Sequence, residues 1–232
     1  AILKRLDQQM LVKNRCLFGG GTAISLRHGE YRESVDIDFI CSSGDGYREI
    51  RQAVNELDPS WLFQKPVTIV RKPRVDQYGI RLAAAIDDTP VKIEIIFEGR
   101  IALRDPLPQD MIEGVWSMTE EDLVATKLMA NADRYADDVM MSRDIIDLAM
   151  TTSDGILIPE GVAKARKAYG TSIDKAVARG KDLLLERIGR LAKCMADMKM
   201  LMPVEDLRAR IERLEIGAAA PSTGSHSFVN PR

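Results

Sequence analysis

From Phe18 to Phe39 the chain sets three glycines, Gly19, Gly20 and Gly21, ahead of a short helical stretch, then places two aspartates, Asp36 and Asp38, one residue apart in an apolar run. Glycines at a helix start remove side chains where a phosphate would approach, and the first N–H groups of the helix are free to bind it. Carboxylates at i and i+2 of a strand share a face and lie roughly 6.5–7 Å apart. That separation lets them converge on metal ions held about 3.5–4 Å apart. Mg²⁺ takes oxygen ligands and keeps several waters, so two or three carboxylates plus substrate phosphates suffice. A third carboxylate follows from strand phase: in 91–97 the residues Val91, Ile93, Ile95 and Phe97 share one face, which leaves Lys92, Glu94 and Ile96 on the other. Taken alone, a D-x-D pair is more often a solvated strand face, and a glycine run is often only a turn. Their conjunction with Glu94 points to metal-dependent chemistry on a nucleoside triphosphate, with Asp36, Asp38 and Glu94 as metal ligands.

The elements that must position these groups can be read from periodicity. Apolar residues at 2, 3, 6, 10, 11 and 12 predict an opening helix over 2–16. Thr22 is placed to cap a helix running to Arg27, and Gly29 to end it. Alternation over 35–40 predicts a strand with Asp36 and Asp38 on one face. A helix over 47–57 ends at Asp58-Pro59, and strands follow at 67–72, 79–86 and 91–97, the last two joined by a hairpin turn at 87–90. Beyond Pro108 strand signals stop. Helices are predicted at 119–132, 138–150, 159–169, 172–202 and 203–216, with a stripe of Leu184, Ile188, Leu191, Met195, Met198 and Met202 as core or partner surface. The expected division is 1–117, 118–216, and a disordered tail at 217–232 rich in Ala, Ser, Gly and Pro.

Composition narrows the function classes. With 232 residues and a net charge of −2, the molecule as a whole is not a basic nucleic-acid binder, so a polynucleotide contact must be local. Residues 164–199 carry ten Lys/Arg against four Asp/Glu, whereas 120–154 carry nine acids against three bases. The basic stretch is either an RNA-backbone surface or a solvated helix face. Three separated cysteines and two histidines argue against zinc sites, disulfide frameworks and most histidine-based catalysis. His28, beside the glycines, reads as packing or surface. No apolar run approaches a membrane span and no signal-peptide pattern is present, so no membrane partner and a cytoplasmic location are expected. The chain begins with Ala, as a trimmed or incomplete N-terminus would. The glycine turn is neither a P-loop, which needs a following Gly-Lys-Thr/Ser, nor a Rossmann fingerprint.

Two blocks carry a resemblance to a known family. Residues 20–26, Gly-Gly-Thr-Ala-x-x-Leu, followed by Arg32-x-Ser34-x-Asp36-Ile37-Asp38-Phe39, resemble the leading motif of the AbiEii/AbiGii toxin family. Its members are nucleotidyltransferase-fold proteins of bacterial abortive-infection and toxin–antitoxin systems. Residues 121–134, with Lys127 and an arginine seven residues later, and then Arg143-Asp144-Ile-Ile-Asp147-Leu148, are similar to the family's helical motif. The resemblance implies an α/β (α+β) nucleotidyltransferase fold, a small mixed sheet flanked by helices, with a C-terminal helical domain closing over the cleft. It implies that Gly20, Gly21 and Thr22 hold the triphosphate, that Asp36 and Asp38 bind metal, and that Lys127 and Asp144 complete the site; with Glu94, added by strand phase, two Mg²⁺ ions are expected. The activity implied is transfer of NMP from an NTP to an acceptor hydroxyl on RNA such as a tRNA end, by a toxin that a cognate antitoxin neutralises.

Side-chain chemistry adds detail and alternatives. An ammonium at Lys127 would neutralise charge developing on pyrophosphate. Arg134, two turns along the same helix face, would reach a phosphate or the acceptor. Ser34 and Arg32 either contact phosphate or fix the turn. Asp144 and Asp147, three apart on a helix, equally fit a purely structural role as partners of Lys127, Arg134 or Arg143. A nucleotide-binding regulator without turnover, and a nucleotidyltransferase acting on a protein or small molecule, are the competing functional readings.

Overall fold

A computed structural model describes residues 2–56, 58–87 and 89–217; apart from Gly217, the expected tail lies outside the described residues. A 3₁₀ turn at Ile2–Arg5 precedes α1 (Gln8–Lys13), β1 (Cys16–Gly19), α2 (Gly20–Arg27), β2 (Ile37–Cys41) and α3 (Gly44–Glu56). Strands β3 (Thr68–Val75), β4 (Gly79–Ile86) and β5 (Thr89–Phe97) follow, then a small hairpin of β6 (Met111–Ile112) and β7 (Val115–Trp116). The rest is helical: α4 (Glu120–Arg134), α5 (Arg143–Met150), α6 (Pro159–Tyr169), α7 (Ser172–Glu186), α8 (Arg190–Asp197) and α9 (Val204–Arg213).

The main sheet has the order β1-β2-β5-β4-β3, with β2 and β5 parallel and every other pair antiparallel. It is the small mixed sheet flanked by helices that the sequence implied. Its central strands alternate as expected: Ile37, Phe39, Ile93 and Ile95 are buried on one face, with Phe39 tilted against Phe18 at 5.7 Å between ring centroids. The other face carries Asp38 and Glu94. Buried side chains of α4 and α5, among them Leu123, Leu128, Ile145 and Ile146, join the same apolar cluster as the sheet.

The structure departs from the expected elements at points with local causes. The opening helix stops at Lys13: Asp7 caps its start, accepting from the Met10 N–H at 3.0 Å, and Arg15 turns the chain with φ 53° into β1. All four β1 residues are buried, so their short run shows no strand alternation. Thr22 is not the cap of α2, which starts two residues earlier behind Gly19. The helix expected at 138–150 begins only at Arg143, because Met141 and Ser142 take left-handed conformations. The long helix expected at 172–202 breaks before Gly189 (φ +73°), which turns Ile188 out to solvent while Leu184, Leu191, Met195 and Met198 stay buried.

Candidate active site

β2 lies parallel to β5 with Asp38 directly opposite Glu94, so both carboxylates stand on the same open face of the sheet, on adjacent strands. Asp36 falls one residue before β2, and its side chain is 46% exposed. On the other side of Asp38, β1 ends at its register partner Gly19 and α2 starts at Gly20. The glycines are required by the protein's own side chains. Gly20 sits at φ +69°, and a Cβ there would collide with the Asp38 carboxylate; a Cβ on Gly21 would collide with the Arg32 guanidinium. The bare start of α2 is thereby pressed against the carboxylate strand, with its leading N–H groups beside it.

These residues wall a cavity of about 500 Å³ together with Arg32, Ser34, Lys92, Lys127, Arg134, Arg143 and Asp147. Asp144 and Thr22 are not among its lining residues. Thr22 is buried, its hydroxyl 2.6 Å from that of Ser34 and donating to the Asp36 carbonyl, which ties α2 to the approach of β2. Thr22 and Ser34 thus hold the turn by which Asp36 enters the site. A second cavity, about 530 Å³, opens on the far side of the 30–34 segment among Leu26, Tyr31, Met150 and Met202, away from the paired carboxylates.

The centre of the acidic cluster, Asp38, has no ion-pair partner among the described residues. Burial, then the charge of Glu94, pushes Asp38 up to about 6, offset only in part by Lys127. The nearest cations stand at the rim. Lys92 Nζ is 2.8 Å from Glu94 Oε1 and 3.9 Å from Asp36 Oδ2, while Arg81 Nε is 3.6 Å from Glu94 Oε1 and its Nη1 is held 3.1 Å from Asp76. Hydrogen bonding to Glu94 raises the Lys92 ammonium above its ordinary range. Among the described residues no three Asp, Glu, His or Cys side chains are drawn together into a ready metal cluster. The donor set itself is three hard carboxylate oxygens with a suppressed charge at the centre, and it fits a divalent cation such as Mg²⁺.

The helical wall is the reverse case. Lys127 Nζ lies 3.0 Å from both Asp144 and Asp147, and its side chain is only 7% exposed. Arg134 grips Asp144 with Nε at 2.7 Å and Nη2 at 2.8 Å. Arg32 grips Asp147 at 2.8 and 3.1 Å, and the Tyr31 hydroxyl donates to the same carboxylate at 2.6 Å. Burial works to raise both aspartates, yet Lys127 and the arginines outweigh it and hold both carboxyls below their ordinary range. For Lys127 burial acts downward, and the two aspartates prevail and raise it. The network joins the 31–32 segment to α4 and α5. Arg143 lines the cavity, is exposed, and makes no side-chain hydrogen bond or ion pair among the described residues.

Sequence reasoning therefore located the carboxylates and missed several neighbours. Lys92 had been placed on Glu94's face by strand phase but given no role. Arg143 was inside a recognised motif yet read only as a partner. Arg81 needed the β4–β5 register, which no spacing reveals. The basic stretch 164–199 is largely consumed by pairing: Lys164 with Glu121 and Asp122, Arg166 with Asp174, Arg187 and Arg190 with Asp138, and Lys199 with Glu33. Lys181 donates to the carbonyls of Glu212 and Leu214, and Arg179 to the Tyr135 hydroxyl. Much of the basic charge is thus taken up by contacts within the protein, to α4, α7, the turn at Asp138 and the loop at Glu33.

Comparison with known proteins agrees with this architecture. The structure resembles that of a candidate nucleotidyltransferase from H. pylori (14% identity, 88% of this chain and 86% of that chain covered, TM-score 0.50). Weaker likenesses, at 14% and 16% identity, are to JHP933 from Helicobacter pylori (88% and 83% covered, TM-score 0.48) and to MenT4, a nucleotidyltransferase toxin from Mycobacterium tuberculosis H37Rv (89% and 78% covered, TM-score 0.43). No curated protein matches the sequence. The sequence model of the family described as "Nucleotidyl transferase AbiEii toxin, Type IV TA system" matches residues 1–220. Nearly the whole length is thus accounted for, both motif blocks included, and the chain belongs to the AbiEii family of nucleotidyltransferase toxins of type IV toxin–antitoxin systems.

Proposed function

We propose that the chain transfers NMP from an NTP to an acceptor hydroxyl on RNA, such as a tRNA end, in a Mg²⁺-dependent reaction. Residues 1–117 and 118–216 act as the two walls of the cleft. The observation that carries the reading is the alignment of Asp38 with Glu94 on parallel strands beside the start of α2. Asp36, Asp38 and Glu94 would hold the metal, which when bound supplies charge neutralisation at the reacting phosphates. The N–H groups at Gly20 and Gly21 and the exposed guanidinium of Arg143 bind the triphosphate. Lys127, on the cavity wall, and Asp144, one layer behind it, fix the face from which Arg134 meets the nucleotide. The acceptor oxygen bonds to the α-phosphorus as the bond to pyrophosphate breaks, and the hydroxyl proton passes to a carboxylate or to water.

An RNA acceptor is supported by the sheet. Across the open face the register runs Asp38, Glu94, Arg81, Arg74, and one row away Lys92, Ala83, Arg71. Arginines on β4 and the edge strand β3 thus extend outward from the carboxylates, suited to a phosphate backbone whose end reaches them. Neutralisation by a cognate antitoxin follows from the family's toxin–antitoxin setting. The test is incubation with Mg²⁺, each α-labelled NTP in turn, and total RNA or total protein. Label is expected in RNA; label in protein or small molecules only, or in nothing, overturns the proposal.

A further inference from the structure

Glu94 stands on β5 and Asp36 one residue before β2, and one cation that the chain itself supplies reaches towards both. Lys92, two residues before Glu94 on the same strand face, places Nζ 2.8 Å from Glu94 Oε1 and 3.9 Å from Asp36 Oδ2. Its side chain is 44% exposed and reaches the cluster on a flexible four-carbon stem. Arg81 also approaches Glu94, but from outside, and Asp76 anchors it there. Lys92 has no such second anchor among the described residues. A compact ammonium beside these two carboxylates competes for the same acidic oxygens as a divalent ion would.

We propose that Lys92 is a built-in counter-cation of the carboxylate cluster, which a divalent metal must displace in order to bind. This rests on the reading of Asp36, Asp38 and Glu94 as metal ligands. Two consequences follow from the geometry. Without nucleotide, the ammonium offsets the charge of Glu94 and Asp36, and metal alone binds weakly because it must first break the Lys92 contacts. With nucleotide, the displaced ammonium gains a new partner in the incoming phosphates, so nucleotide and metal favour each other's binding. Lys92 is a positioning residue in this scheme, since it acts through the carboxylates.

The test is titration of nucleotide-free protein with Mn²⁺, followed by the paramagnetic resonance signal of the free ion, with folding checked by thermal melting. Lys92→Gln should bind Mn²⁺ on the order of tenfold more tightly than the parent chain, as expected when a competing charge is removed. Lys92→Met should do the same, Lys92→Arg should stay near the parent affinity, and Arg81→Gln should change it less than Lys92→Gln. Equal or weaker Mn²⁺ binding by both neutral Lys92 variants, with binding still abolished by Asp38→Asn, overturns the role of Lys92 and leaves the metal site standing. If Mn²⁺ binds none of these proteins, both readings fall.

Discussion

The two walls of the cavity solve opposite electrostatic problems. On the helical wall three cations, Arg32, Lys127 and Arg134, meet two aspartates, and each of these charges has a partner within 3.0 Å. On the sheet wall Lys92 reaches Glu94 and Asp36 from the rim, while the central carboxylate, Asp38, has no ion-pair partner among the described residues and is pushed up to about 6 by burial and by Glu94. A satisfied network of this kind is a structural joint, rigid because removing one member strands the rest. A cluster left unsatisfied keeps its capacity for a ligand that brings the missing charge. The unsatisfied charge lies on the sheet and the satisfied network on the helical side, although Asp38, Glu94, Lys127, Arg134 and Asp147 line one cavity.

The largest expected effect comes from breaking the satisfied side. Asp147→Ala would leave Lys127, Arg32 and the Tyr31 hydroxyl short of their shared acceptor in a fully buried place. The cost should be about 3–5 kcal/mol, the usual range for stranding a buried charge, seen as a large fall in the denaturation midpoint. Asp38→Asn should do the opposite. It removes a charge that the folded, metal-free protein holds unfavourably, so the midpoint should hold or rise. NMP transfer should nevertheless fall by about 10²–10³-fold, as when a group that stabilises transition-state charge is removed. If Asp38→Asn destabilised the protein as much as Asp147→Ala, the contrast between the walls would be lost.

That contrast was only half legible in the sequence. The carboxylates were readable because strand phase is a local property: Asp38 and Glu94 each declare their face by their immediate neighbours. The parallel pairing that brings β2 beside β5 spans more than fifty residues, and only the fold shows that the two side chains are register partners. β1 was hidden for a related reason, since Cys16, Leu17 and Phe18 are covered on both faces and show no alternation. On the helical side, Lys127 and Asp144 were found, but spacing alone could not decide between a catalytic ammonium and a buried ion pair. The structure shows the buried ion pair, and such partners are not written in periodicity. The basic stretch 164–199 failed similarly: its charge was real, but its acidic partners lay mostly in α4, α7 and the 137–142 turn.

Acid should sharpen the comparison from the helical side. Asp144 and Asp147 are held below their unfolded value of about 3.9, so the stability they confer is complete above that pH. It is lost as pH falls through their lowered folded values. Melting measured from pH 7 down to pH 2 should therefore show a modest rise as Asp38 takes up its proton below about pH 6, then a steep decline below about pH 4 as Asp144 and Asp147 take up theirs. Asp144→Asn should start from a lower midpoint and decline less steeply in the acid limb, because one of the linked protons is gone. An unchanged acid slope in that variant would show that the network does not carry the acid sensitivity.

The smallest effects are expected from the lysines that sequence alone made prominent. Within 164–199, Lys167, Lys175 and Lys193 make no side-chain hydrogen bond or ion pair among the described residues, and they stand on α6, α7 and α8, outside the cavity lining. Replacing all three with Ala should leave stability and RNA affinity within about twofold of the parent chain, since scattered exposed charges contribute little. Arg71 and Arg74 are equally exposed, but they sit on the sheet face that leads to Glu94. Their double Ala variant should lose about tenfold in affinity for RNA at low salt, and the dependence of affinity on salt should flatten by nearly two phosphate contacts. Fluorescence anisotropy with a labelled RNA at several salt concentrations separates the two surfaces. Should the lysine variant show the loss and the arginine variant none, the acceptor's path belongs to the helical wall, and the sheet would keep the metal and the nucleotide alone.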